Sequence, residues 1–270
     1  MRLDLDFGNY SIKAQLSDAT TIWPMVKFSS VKQLADYCAS YPVQRVCVLS
    51  VRHDPAVRTM LEQWLWQQCA LRPEYARVMR QACGVTNAYN DYKQLGIDRW
   101  AGMVAAYHQE VTCHQEQDMG VTGMHASANI LVADCGTAIT LDWLHASGRH
   151  LAGVILPGLE LAYFALQEKT SIQINNHPVT NSNGLSALGY QKSAHAPTQW
   201  DTQTAVALGI DTMLNSFLRQ QILFTEQYFD RAYTIYLTGG NAHYFRNIFP
   251  AEKLQCHADL TLQGLRLLLP

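Results

Sequence analysis

The feature that most narrows the folds open to this chain is a strand-and-turn pattern written twice. Leu3-Asp4-Leu5-Asp6-Phe7-Gly8-Asn9 runs an apolar strand into Asp-x-Gly, and Ile130-Leu131-Val132-Ala133-Asp134-Cys135-Gly136-Thr137 does the same mid-chain. In each copy a small polar residue follows, and then a second strand-like stretch, residues 11–16 or 138–143. One Asp-x-Gly-Asn after a strand is also an ordinary β-turn sequence, and motifs this short match by chance. A second copy, with its Asp again at a strand end, points to two related halves. Such a hairpin suits phosphate binding. Its Asp offers a carboxylate to a cation or a water, and its Gly lets backbone N–H groups come close to phosphate oxygens. Two facing hairpins would clamp a nucleotide triphosphate and its metal.

A chain of 270 residues with 48% hydrophobic content accommodates two halves of modest size, divided on this reading as 1–115 and 116–270. A net charge of −2 with scattered Lys and Arg gives no electrostatic footprint for nucleic acid. No run approaches the roughly 18 apolar residues of a membrane span, and the N-terminus has no signal-peptide core. A soluble, cytoplasmic protein is expected. The seven cysteines are odd in number and form no C-x-x-C pair, which argues against a disulfide framework; most are expected to be small buried hydrophobes. The spacing of Cys113, His114, Glu116, Asp118 and His125 matches no common zinc site, so a polar inter-domain loop is the simpler reading.

Strand and helix signals alternate along the chain, which indicates an α/β fold. A short helix is expected near residues 31–40 and a strand over 45–51. Asp54-Pro55 then opens a helix whose apolar stripe is Val57, Met60, Leu61, Trp64, Leu65 and Cys69. Trp64 and Trp66 read as packing residues. Past the second hairpin, residues 152–158 end a strand in Pro157-Gly158, and a helix follows over 159–167. Residues 175–200, rich in Asn, Ser, Gly, His and Pro, read as a long surface loop. Asp201 caps a helix reaching about residue 223, and a strand over 232–237 ends in Thr238-Gly239-Gly240, a turn that permits close backbone approach to a flat ligand.

One segment carries acid–base chemistry. The turn-rich stretch from Asn87 leads through Gly96 into a helix that sends Trp100, Met103, Val104 and Tyr107 to the core, so Asp98 and Arg99 occupy its first turn. Asp is at home there for structural reasons alone, because it satisfies orphan N–H groups and the helix dipole. Arg is not. An adjacent acid and base at a helix start suit an acidic substrate bearing a hydroxyl: Arg99 for the carboxylate, Asp98 for the proton.

These residues together resemble a known family. Asp6-x-Gly8-Asn9-x-Ser11-x-Lys13, Gly96-x-Asp98-Arg99-Trp100, Asp134-x-Gly136-Thr137-Ala138-x-Thr140-x-Asp142, Gly153-x-Ile155-x-Pro157-Gly158 and Thr238-Gly239-Gly240 look like the ordered motifs of type III pantothenate kinases. The resemblance implies two duplicated ribonuclease H-like domains of the actin-like ATPase superfamily with a nucleotide cleft between them. The implied reaction is ATP-dependent phosphorylation of pantothenate to 4'-phosphopantothenate, the first step of coenzyme A biosynthesis. It implies that Asp6, Phe7, Gly8, Asn9, Tyr10, Ser11, Ile12 and Lys13 form the first ATP phosphate loop, with Asp6 near Mg2+, and that Thr137 is a further ATP contact. Asp98 matches the catalytic base. Gly96, Ile97, Asp98 and Arg99 match the pantothenate loop, with Tyr89 and Thr202 as further substrate contacts. Asp134 matches a monovalent-cation ligand, for K+ or NH4+. The family is usually homodimeric, with the second subunit helping to enclose pantothenate.

This chain departs from the pattern at Tyr10, where Thr or Ser is usual, at Ala152, which replaces a glycine, and at Tyr92, where proline is common. None removes a group needed for chemistry. A sugar kinase of the same superfamily shares the hairpins but has no evident use for Gly96-Ile97-Asp98-Arg99 as a carboxylate site. A non-catalytic ATP-binding regulator is disfavoured by the intact Asp6, Asp98, Arg99 and Asp134. The apolar runs 154–166 and 213–223 fit either core or interface.

Overall fold

In the computed structural model, which describes residues 1–8, 11–51, 55–117, 128–174, 201–230 and 232–270, the first repeat is a hairpin of β1 (Arg2–Phe7) and β2 (Ile12–Ser17). The strands pair antiparallel with Asp6 opposite Lys13, and Gly8 N donates to Ser11 O at 3.1 Å across the turn. Asn9 and Tyr10 lie outside the described residues, as do Asp54, Asp118, His125 and the 175–200 stretch. β1 is buried along nearly its whole length because it is the middle strand of a five-stranded sheet, β3-β2-β1-β4-β5. The others are β3 (Val26–Phe28), β4 (Arg45–Ser50) and β5 (Glu74–Tyr75). β4 runs parallel to β1 and β5 parallel to β4. Parallel neighbours need crossovers, and α1 (Val31–Cys38) and α2 (Pro55–Cys69) lie in those connections.

After the short pair β6 (Gln81–Ala82) and β7 (Val85–Thr86) comes α3 (Ile97–Gln117), and then the second repeat. It supplies β8 (Asn129–Cys135), β9 (Ala138–Leu144) and β10 (His150–Pro157); β11 (Tyr233–Thr238) and β12 (Leu254–Cys256) complete its sheet. That sheet has the order β10-β9-β8-β11-β12. Each sheet therefore places its third, second, first, fourth and fifth strands side by side, and in each the last two are parallel. The equal order is the duplication in physical form: an α/β protein of two ribonuclease H-like halves, as in actin-like ATPases. Two compact units result, Met1–Val132 with Asp142–Ala152 and Asp259–Pro270, and Ala133–Leu141 with Gly153–Ala258. They interleave along the chain, so residues 142–152 and 259–270 return to the first unit, unlike a single division after residue 115.

The helices follow their periodicity with local exceptions. Ser30 caps α1, its hydroxyl accepting from Gln33 N, and Val31, Leu34 and Cys38 face the core. On α2, Leu61 and Leu65 are buried and Trp64 packs beside them, but Met60 is 56% exposed although the apolar stripe predicts it inside. Trp66 is 57% exposed, with the Arg72 guanidinium over its ring. The α3 stripe of Trp100, Met103, Val104 and Tyr107 is fully buried, as its spacing requires. In the second unit, α4 (Leu159–Lys169) is followed by α5 (Thr202–Tyr228), which starts at an Asp201 cap bonded to Thr204 N at 2.6 Å. α6 (Ala242–Phe245) is a single turn, and α7 (Leu260–Leu268) ends the chain back in the first unit. Cys38, Cys47 and Cys135 are buried, whereas Cys113 and Cys256 are exposed. Among the described residues, no helix is long and apolar enough to cross a membrane.

Candidate active site

Asp6 stands at the C-terminal end of β1, a favoured position for ligand chemistry in parallel α/β sheets. It is buried, and its Oδ2 accepts hydrogen bonds from Lys13 Nζ at 3.0 Å and Thr261 Oγ1 at 2.9 Å. The Lys13 bond follows from strand register, which sets the two residues opposite one another. Both bonds fall on one oxygen, so Oδ1 lies outside them. Next to it, a Cβ on Gly8 would stand 3.3 Å from Ser11 O, so the turn is drawn close enough to favour glycine.

Asp98 is the second residue of α3, and its Oδ1 accepts from Arg99 N at 2.8 Å. Gly96 makes this fold-back possible, because a Cβ there would sit 2.5 Å from that same Oδ1. Burial pushes the Asp98 carboxyl up from its ordinary pKa; the Arg99 N–H opposes this, and the Asp6 charge reinforces it. A carboxyl raised in this way is a better proton acceptor than an exposed one. The two carboxylates are thus electrostatically coupled within one unit.

Arg99 is held differently from a free carboxylate receptor. Its Nε donates to Asp142 Oδ2 at 2.9 Å and its Nη2 to Asp142 Oδ1 at 2.6 Å, while Nη1 donates to Tyr89 Oη at 2.9 Å. Arg99 is 6% exposed and Asp142 1%. Burial disfavours the guanidinium charge, but the bonds and charge of Asp142 outweigh that, with help from Tyr89, and raise its pKa. These three bonds use three of the five N–H donors of a guanidinium. His150 closes the cluster. Ala88 N donates to its Nδ1 at 3.5 Å, which puts the proton of a neutral ring on Nε2, 3.0 Å from Ala152 O and 3.2 Å from Asp142 Oδ1. Its ring also stacks on that of Tyr89. The Tyr89 backbone is fixed in turn: Arg80 Nη1 donates to Tyr89 O at 2.6 Å, and Asn87 Oδ1 accepts from Tyr89 N at 2.9 Å.

The second hairpin builds a separate cluster of oxygens in its own unit. Gly136 N donates to Ala138 O at 3.0 Å and Gly158 N to Thr137 O at 2.9 Å. Gly239 adopts φ +100°, and a Cβ on it would lie 2.4 Å from Cys135 O and 2.5 Å from Asp134 Oδ1. Only glycine meets both demands. Beside it, the Thr238 hydroxyl is buried with no hydrogen-bond partner among the described residues, the kind of group that a ligand or ion satisfies. Among the described residues no three His, Cys, Asp or Glu side chains gather as a metal site. A cation at Asp134 would accordingly have one carboxylate with carbonyl and water oxygens, a donor set for hard ions. Thr202, at the start of α5, lines a groove of about 830 Å3 between α4 and α5 with Pro157, Leu166 and Ile210.

The first unit thus brings together Asp6, Lys13, Asp98, Arg99, Gly96 and Tyr89; Asp134, Thr137 and Thr202 belong to the second. Asp142, His150 and Thr261 are the members for which sequence reasoning assigned no role. Asp142 lay inside a quoted motif, so a signal existed for it; His150 and Thr261 had none.

A family model described as type III pantothenate kinase matches residues 2–222. Relatives named type III pantothenate kinase include one from Azotobacter vinelandii, 31% identical over 100% of this chain and 99% of its own length. A second, from Pseudomonas putida, is 30% identical with the same coverage. Among solved structures, a Campylobacter jejuni protein assigned to the Baf family of transcriptional activators has a TM-score of 0.53 at 20% identity, covering 98% of this chain and 96% of that one. A chain of the PilM-PilN type IV pilus biogenesis complex has a TM-score of 0.51 at 11% identity, with 100% and 99% covered. These two structural likenesses bear on fold alone.

Proposed function

This chain belongs to the type III pantothenate kinase family, whose members phosphorylate pantothenate in coenzyme A biosynthesis, and we propose that Asp98 is the base of its reaction. The observation that carries the proposal is the setting of Asp98: half-buried, its pKa raised, folded back over Gly96 and adjacent to Arg99. Phosphoryl transfer to a hydroxyl passes through a loose transition state, so catalysis is mostly positioning and charge neutralisation. Asp98 orients the primary hydroxyl of pantothenate and takes its proton late, as the new P–O bond makes that proton acidic.

The kinase uses ATP with a divalent metal, and Mg2+, when bound, neutralises charge on the phosphates. Residues 6–13 would serve the phosphates, with Asp6 as the carboxylate that would hold the metal and Lys13 fixing its orientation; Thr137, in the second unit, is a further proposed phosphate contact. Arg99, held by Asp142, presents its remaining N–H donors to the pantothenate carboxylate, and Tyr89, Gly96 and Ile97 line the rest of that site; Thr202, in the second unit, is a further proposed pantothenate contact. Asp134 with nearby carbonyl oxygens holds a monovalent cation, K+ or NH4+. A homodimer is supported by the apolar side chains that the second unit leaves exposed, including Ile155, Phe164, Met213, Leu223 and Tyr228. A cytoplasmic location belongs to the same reading.

The test is Asp98→Asn, which keeps shape and removes the base. ATP binding by calorimetry is expected to stay within about twofold while turnover falls by roughly 10²–10⁴, the range of general-base contributions. A variant with near-normal kcat would refute the assignment.

A further inference from the structure

The last helix, α7, lies beyond the span matched by the family model, which ends at residue 222. It is nevertheless locked to both elements that carry the candidate carboxylates. At its start, buried Thr261 donates its hydroxyl to Asp6 Oδ2. Nearly one turn on, Gly264 backs onto α3: a Cβ there would stand 2.0 Å from Ala101 O, three residues after Asp98. Arg266 Nε then donates to Asp4 Oδ2 at 3.0 Å, two residues before Asp6 on the same strand, and its Nη2 bonds Gln15 of β2. Asp4 is itself fully buried, its Oδ1 accepting from Arg2 Nε at 2.7 Å. Leu262 and Leu265 fill the space against Ala101, Cys47 and Leu49. The register of α7 is therefore set at three points, and with it the place of the Thr261 hydroxyl.

A helical threonine ordinarily turns its hydroxyl to a nearby backbone carbonyl. This one instead makes a charge-assisted bond to a carboxylate on another element. With Lys13 Nζ on the same oxygen, Asp6 cannot rotate its carboxylate plane without loss of both bonds.

We infer that Thr261 is a positioning residue of the phosphoryl-transfer site: its hydroxyl fixes the Asp6 carboxylate for the Mg2+ of bound nucleotide, which makes the C-terminal helix part of the catalytic apparatus. The inference rests on the reading of Asp6 as the carboxylate of the first phosphate hairpin. The test uses the full chain as wild type, Thr261→Val, Thr261→Ser and Asp6→Asn. Two quantities are read: the Mg2+ concentration for half-maximal ADP release, and the Mg2+ dependence of calorimetric binding of a non-hydrolysable ATP analogue. Thr261→Val is expected to raise both by about tenfold or more, as loss of an outer-shell partner of a metal ligand does. The KM for pantothenate stays unchanged, and Thr261→Ser stays near wild type. Should the valine variant fail to fold, Thr261→Ala takes its place with the same readouts. A purely structural threonine would lower the melting temperature and leave both Mg2+ curves in place, and that result overturns the inference, as does a serine variant that fails to restore them. If Asp6→Asn itself keeps wild-type Mg2+ dependence, the reading of Asp6 is lost and the inference with it. If Asp6→Asn loses that dependence while the Thr261 variant keeps it, only the role of α7 is wrong.

Discussion

Replacement of Asp142 by leucine strands the Arg99 guanidinium in a site where the two side chains are 5% and 1% exposed. A surface ion pair removed in this way costs at most about 1 kcal/mol. Here the pair is buried and bidentate, at 2.9 and 2.6 Å, and loss of one partner of a buried pair costs about 3–5 kcal/mol, because the other charge stays behind without compensation. For a chain of this size each kcal/mol moves Tm by about 2–4 °C, so Asp142→Leu is expected to melt roughly 6–20 °C lower. The reasoning makes a second, sharper demand. If uncompensated charge is the cause, Arg99→Met on its own removes the guanidinium and leaves Asp142 with the His150 ring at 3.2 Å in place of its bidentate partner, a loss of the same sign and of equal or smaller size. The double variant Arg99→Met/Asp142→Leu then removes both charges and recovers most of the loss, because an apolar pair of similar volume is often no less stable than the ion pair. Thermal unfolding followed by far-UV circular dichroism on all four proteins closes the cycle. Strictly additive losses, or a single-variant cost below about 1 kcal/mol, would show that the pair behaves as a surface contact and refute the argument.

The raised pKa of Asp98 has a stability consequence with a definite sign. Its folded pKa lies above the unfolded value, so the folded state binds the proton more tightly, and Asp98 costs stability as pH rises through that interval and above it. Asp98→Asn is therefore expected to melt higher than wild type at pH 7 while nearly inactive, a gap that closes in acid; a lower Tm at pH 7 would contradict the burial argument. In the wild type, the acid limb of the kcat profile should lie at higher pH than an ordinary Asp of about 3.9 would give. Exchange of Na+ for K+ or NH4+ is expected to raise activity, and Asp134→Ala to abolish that response; equal activity in Na+ alone removes the cation site. Gly264→Ala drives a methyl toward Ala101 O, 2.0 Å away, and is expected to cost about 1–3 kcal/mol, the range for overpacking. An unchanged Tm would mean that α7 shifts freely against α3.

Both hairpins were legible because each rests on a local rule, an apolar strand that runs into Asp-x-Gly, and the same rule placed Asp6 and Asp134 at strand ends. Gly96 and Asp98 were legible for a similar reason, since a helix start has its own grammar of caps and charges. The Arg99 partner was not. Asp142 is 43 residues away in sequence, and only the return of residues 142–152 to the first unit brings it to the guanidinium. α7 stayed hidden because Gly264 in mid-helix weighs against a helix by propensity, although its missing side chain is what allows contact with α3. Met60 was misplaced because its stripe is wider than the face that α2 buries, and one helix face can carry an apolar residue to solvent at little cost. Strands of two residues, such as β5, β6 and β7, hold too few positions for alternation to register.

The most direct test is product formation by the purified 270-residue chain: ADP release from ATP and Mg2+ in K+ buffer with and without pantothenate, with the phosphorylated product followed by phosphorus NMR. The expected result is ADP release that depends on pantothenate, with a new phosphomonoester signal appearing in equal amount. ADP release indifferent to pantothenate, or no release with the ATP analogue still bound, would contradict a pantothenate kinase and leave an ATP-binding protein without this reaction.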